Sequence, residues 1–127
     1  MSDKPRKPTI LLVEDEYLIA WFAMEALSEA GYDIVGVAQT AEKAVEMAVV
    51  LRPDLVIMDI RLHGGSDGVW AAIEILNRAG IRCLFATSND DPENRRRGAA
   101  ANPHGWLPKP YREAQLVLAV ASALGKA

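Results

Sequence analysis

Glu14, Asp15, Asp59, Thr87 and Lys109 share one placement, since each ends or closely follows a short apolar run. Three carboxylates brought together would repel one another and resist ionisation unless a cation joined them. Mg²⁺ suits such a group, because it is a hard cation that takes oxygen ligands and keeps waters where few carboxylates are offered. No cluster of Cys and His suggests zinc instead. The other two side chains fit an incoming phosphoryl group, whose charge spreads over three equatorial oxygens. Lys109 supplies a point charge and Thr87 a hydroxyl donor. Asp59 is then the nucleophile, forming an acyl phosphate.

These residues meet only if the elements before them line up. The stretch Thr9-Ile10-Leu11-Leu12-Val13 reads as a buried strand ending in acids, followed by helical spacing of Ile19, Phe22, Ala23, Ala26 and Leu27 up to Gly31. Tyr32 to Ala38 predicts a second strand, with Thr40 capping a helix from Ala41 to about Leu51. Leu55-Val56-Ile57-Met58 is a third strand running into Asp59. After a Gly-rich loop (His63 to Gly68), Val69 to Arg78 predicts a third helix and Ile81 to Thr87 a fourth strand. The polar segment Ser88 to Pro103 supports at best a short or irregular helix. Gly105 to Leu107 is a fifth strand, and Tyr111 to Leu124 a closing helix.

Strict alternation with fully apolar strands predicts a flavodoxin-like (βα)5 fold, a doubly wound five-stranded parallel sheet covered by helices on both faces. The carboxyl ends of its strands form one rim, where functional groups gather at a topological switch point. All five residues project from that rim. The chain of 127 residues suits a single domain with a core from about Thr9 to Leu124. Its formal charge of −3 argues against nucleic-acid binding. No run approaches the roughly 20 apolar residues of a membrane span, and the lone Cys83 fits a reducing compartment. A cytoplasmic location is expected.

The segments Leu12-Val13-Glu14-Asp15-Glu16, Pro53 to Arg61, Ala86-Thr87-Ser88 and Pro108-Lys109-Pro110 resemble those of the response-regulator receiver family, in the family's order. The resemblance runs from Thr9 to Leu124. It implies a CheY-like receiver in which Glu14 and Asp15 are metal-site acids and Asp59 is the phospho-acceptor. It also makes the backbone carbonyl of Arg61 a further Mg²⁺ ligand, Thr87 the switch hydroxyl and Lys109 the phosphate contact. The phosphodonor would be a histidine kinase or phosphotransfer protein, and the Lys109-Pro110 bond is often cis in the family. Three features depart from the usual pattern. The loop Leu62-His63-Gly64-Gly65-Ser66 replaces a Met-Pro turn and should be more mobile. Trp106 stands where a Tyr or Phe switch aromatic is usual. The segment after Leu84-Phe85-Ala86-Thr87 is similar to that of an atypical group with an irregular fourth helix.

Bland roles compete with some of these. Glu14 or Asp15 alone could cap the first helix, Asp54 lies at the opposite rim as a turn residue, and Cys83 is a buried packing thiol. His63 and His104 read as solvated loop residues, Trp21 and Trp70 as half-exposed helix positions, Trp106 as partly buried packing, and Arg95 to Arg97 as a solvated face. The functional expectation is a stand-alone phosphorylation switch, a monomer or weak dimer. It would signal to an unknown downstream protein by contact or onward transfer and is not a turnover enzyme. The alternative is a pseudo-receiver, a protein-interaction module working without phosphate. An FMN-binding flavodoxin would need a phosphate-cradling loop where Glu14-Asp15-Glu16 stands. A metal-dependent phosphohydrolase would carry its nucleophile after the first strand.

Overall fold

The computed structural model describes residues 6–88 and 91–125. Five strands, β1 (Thr9–Val13), β2 (Asp33–Ala38), β3 (Leu55–Met58), β4 (Cys83–Thr87) and β5 (Gly105–Pro108), alternate with helices. These are α1 (Tyr17–Glu29), α2 (Ala41–Leu51), α3 (Gly68–Ala79), α4 (Pro92–Gly98) and α5 (Glu113–Ala123). Every strand pairing is parallel, and the order is β2-β1-β3-β4-β5. The expected doubly wound sheet is therefore present, with its switch point between β1 and β3.

Strand side chains alternate between faces, and an apolar run therefore feeds two cores. Leu11, Val13, Val56, Met58, Cys83 and Phe85 pack toward α2 and α3. Ile10, Leu12, Leu55, Ile57, Leu84 and Ala86 pack toward α1 and α5. Small residues let the helices approach: Ala20, Ala23 and Ala26 on α1, Ala41, Ala44 and Ala48 on α2, and Ala71 and Ala72 on α3 are all buried. Cys83 is fully buried, and this pushes its thiol up to about 12, as suits a packing residue.

Helix boundaries follow cap chemistry. Thr40 Oγ1 accepts the Lys43 N–H at 3.1 Å, as expected. The third helix begins one residue earlier than its apolar pattern, because Asp67 Oδ1 accepts the Val69 N–H at 2.9 Å. The last helix begins at Glu113 rather than Tyr111, where the Arg112 N–H donates to Gln115 Oε1 at 2.7 Å. The polar segment does hold a short helix: α4 has seven residues, capped by Asp91 and followed by a 3-10 turn at Ala99–Ala101. Asn89 and Asp90 lie outside the described residues.

Asp54 sits at the opposite rim and ties the N-terminal arm to the sheet. It accepts two bonds from Arg6 at 3.0 Å and the Thr9 N–H at 2.7 Å. The Arg6 hydrogen bond, with help from Thr9, holds its carboxyl below the usual range. Trp21 and Trp70 are half-exposed as expected. His104 is half-buried rather than solvated, since its N–H donates to Cys83 O at 2.8 Å in line with β4. The side chain of His63 lies outside the described residues.

Gly68 is the tightest backbone approach near the rim. A Cβ there would stand 1.8 Å from the Asp59 carbonyl oxygen and 2.9 Å from Ile60 Cα. Because those obstacles are backbone, Gly68→Ala is expected to cost roughly 3 kcal/mol, read as a lowered urea midpoint at unchanged slope.

Candidate functional site

The rim is assembled by backbone bonds that carry the ladder past the strand ends. Glu14 N–H donates to Ala38 O at 2.9 Å, Asp59 N–H to Val13 O at 3.2 Å, and Lys109 N–H to Thr87 O at 3.2 Å. Residues directly after β1, β3 and β5 are thereby held in register with their neighbours. The side-chain consequence is that carboxylate oxygens of Glu14, Asp15 and Asp59 lie within 4.8 Å of one another. Glu14 and Asp59 are buried, while Asp15 is half-exposed at the mouth.

Lys109 joins this group as its counter-charge. Its ammonium donates to Glu14 Oε1 and, at 3.1 Å, to Asp59 Oδ2. The Lys109-Pro110 bond is cis. Asp59 Oδ1 accepts the Ile60 N–H at 2.7 Å, and Glu14 Oε2 accepts the Glu16 N–H at 3.1 Å. Glu14 thus serves an otherwise unpaired donor at the start of α1, so part of its capping role is real. Burial raises the Glu14 carboxyl above its ordinary value, with the hydrogen bond from Lys109 opposing and the Asp59 charge adding. Burial lowers the Lys109 ammonium, but the Glu14 hydrogen bond and the Asp59 charge outweigh it, so its pKa is raised. Tyr111 is pushed up to about 12 by burial beside these groups.

Asp15, Asp59, Arg61, Ser88 and Lys109 line one cleft of about 500 Å³, walled on its apolar side by Leu18 and Phe22 of α1. Arg61, exposed, opposes Asp67 in an antiparallel bridge within the loop after β3. Thr87 is buried at the end of β4. Trp106, on β5, stacks on Phe85 with ring centroids 4.5 Å apart and has the Arg95 guanidinium 5.0 Å above its ring. The indole lies against Gly98, where a Cβ would stand 2.9 Å from it. The arginine run is exposed but engaged: Arg95 covers Trp106, Arg96 pairs with Glu93 and Arg97 with Asp67. Asp67, unremarked in the sequence, is the residue that joins α3, α4 and the Arg61 loop. Its signal was an Asp-Gly pair before an apolar helical start.

The donor set fits a hard divalent cation. All three side chains offer carboxylate oxygens, two of them buried, and a primary ammonium already bridges a pair of them.

The chain belongs to the response regulator receiver domain family, whose pattern matches residues 10–121. It is therefore similar throughout to receiver domains of two-component signalling. It is 40% identical over 124 residues to the transcriptional regulatory protein PdtaR of Mycobacterium tuberculosis, covering 96% of this chain but 58% of that protein. The chemotaxis protein CheY of Halobacterium salinarum is 31% identical over 116 residues, covering 91% of this chain and 95% of its own. The signal receiver domain of a modulated diguanylate cyclase from Desulfovibrio desulfuricans superposes with a TM-score of 0.86 at 36% identity, over 95% of this chain and 96% of that one.

Removing Lys109 should expose the repulsion it balances. Lys109→Met is expected to lower stability by about 3 kcal/mol at neutral pH, since it leaves buried carboxylates uncompensated. The sign with pH follows from Glu14, whose raised pKa means that its contribution is full below its ordinary value of 4.5 and is lost as pH rises. The deficit of the variant should accordingly shrink toward pH 4 and grow above it, as followed by urea unfolding across that window.

Proposed function

We propose that this chain is a phosphorylation-controlled switch in which Asp59 accepts a phosphoryl group from a phosphohistidine on a histidine kinase or phosphotransfer protein. The observation that supports this most directly is the meeting of Glu14, Asp15, Asp59 and Lys109 in one cluster at the β1/β3 switch point. Membership of the receiver family points the same way.

A carboxylate oxygen of Asp59 attacks phosphorus, the bond from phosphorus to the donor imidazole nitrogen breaks, and its electron pair returns to that nitrogen. Lys109, already at Asp59 Oδ2, follows the charge onto the phosphoryl oxygens. Glu14, Asp15 and Asp59, with the backbone carbonyl of Arg61, would hold Mg²⁺, which supplies charge neutralisation at the phosphoryl oxygens when bound. Thr87 donates its hydroxyl to a phosphoryl oxygen and so reports occupancy to β4. Trp106 and α4, which pack on Phe85 of that strand, then change the surface offered to a downstream protein. Slow water attack on the acyl phosphate releases inorganic phosphate and regenerates the Asp59 carboxylate, so the chain acts as a resettable acceptor rather than a turnover enzyme.

Incubation with acetyl phosphate tests this by intact mass. One phosphoryl group should add only with Mg²⁺ present, and Asp59→Asn should take none. If no adduct forms, and Mg²⁺ with beryllofluoride leaves the Trp106 fluorescence of a Trp21→Phe, Trp70→Phe variant unchanged, the chain is a pseudo-receiver that binds partners without phosphate.

A further inference from the structure

Asp67 engages both carboxylate oxygens beside the Arg61 stretch that lines the cleft. Its backbone opposes Arg61 in a small hairpin, closed by Leu62 N–H to Ser66 O at 3.1 Å and Gly68 N–H to Ile60 O at 2.7 Å. Its Oδ1 caps α3 through the Val69 N–H at 2.9 Å. Its Oδ2 pairs with Arg97 Nη2 of α4, while Arg97 Nη1 donates to Asn94 Oδ1 at 3.2 Å within the same helix. One carboxylate therefore fastens α4 and α3 to the residue opposite Arg61.

A seven-residue helix cannot hold itself together by its own backbone bonds and must be docked. Its docking rests in part on the Arg95–Trp106 stack on the β5 side and on Arg97–Asp67 on the β3 side. The second tie ends opposite Arg61, which lines the cleft. We propose that Asp67 and Arg97 are positioning residues. Their ion pair holds the Arg61 stretch in register for the cation and links occupancy of the cleft to the docking of α4. The proposal rests on the Asp59 reading above and gives that site a second outlet, through the β3 loop, besides the one through Thr87 and Trp106. By linkage, whatever the pair contributes to cation binding, the bound cation returns to α4.

Asp67→Asn separates the tie from the cap, because Asn caps a helix as well as Asp does but carries no charge. Arg97→Gln removes the pair from the other side, and Arg97→Lys keeps the charge. Mg²⁺ affinity is measured by calorimetry and α4 docking by amide exchange over residues 92–98, with and without Mg²⁺ and beryllofluoride. Asp67→Asn and Arg97→Gln should each weaken Mg²⁺ binding about two- to five-fold, the scale of a half-exposed ion pair. The double variant should be no weaker than either single one, and Arg97→Lys should recover most of the loss. Protection of α4 on ligand addition should fall in the same order. Unchanged Mg²⁺ affinity in both single variants, or losses that simply add, would overturn the proposal while leaving the Asp59 reading intact. A wild type that binds no Mg²⁺ would overturn both.

Discussion

Glu14, Asp15 and Asp59 press negative charge into one cleft, and the rest of the molecule is arranged around that repulsion. The order β2-β1-β3 sets the ends of β1 and β3 side by side, so the acids cannot drift apart without breaking ladder bonds. Lys109 enters from β5 as the built-in counter-charge and bridges two of the three acids. Burial keeps the Glu14 carboxyl raised even so, with the Asp59 charge adding a smaller part, and one ammonium stands against three carboxyl groups. A site held in this condition has an unmet demand for positive charge, which a divalent cation answers and an incoming phosphoryl group can then share.

Around the cleft, rigidity is uneven. On one side α1 and α5 close over a core of Ile10, Leu12, Leu27, Leu55, Ile57 and Leu116. On the other, α2 and α3 are seated by alanines and capped by Thr40 and Asp67. The fourth helix differs: it is short, polar, and docked through an indole stack and an ion pair as well as through its buried Asn94 and Gly98. Elements with little apolar burial are the ones that move at low cost, and this one touches both Trp106 and the Asp67 end of the Arg61 loop. The part best suited to carry a signal is thus also the part most weakly held.

Strands were legible because fully buried parallel strands read as unbroken apolar runs, and the meeting of Glu14, Asp15, Asp59 and Lys109 followed from the rim rule. The polar character of Ser88 to Pro103 correctly foretold a short helix. Boundaries were less legible where cap chemistry overrides apolar spacing, as at Gly68 and Glu113. Asp67 was hidden inside a stretch that reads as a glycine loop, and no local spacing rule joins residue 67 to residue 97. His104 looked like a solvated loop residue because nothing in its neighbourhood shows that its backbone extends the β4–β5 ladder. The grip of Lys109 on Glu14 was likewise invisible, since it depends on how two rim loops lean together in space.

Thermal unfolding of the wild type against increasing MgCl₂, with NaCl matched for ionic strength, tests the central claim most directly. A cleft with unmet demand for positive charge should gain stability with Mg²⁺ as its binding sites fill, about 2.7 kcal/mol at a hundredfold excess over the dissociation constant. The melting temperature should therefore rise by several degrees, with the rise absent in Asp15→Asn. A melting temperature indifferent to Mg²⁺, or one that rises equally with NaCl, would contradict it.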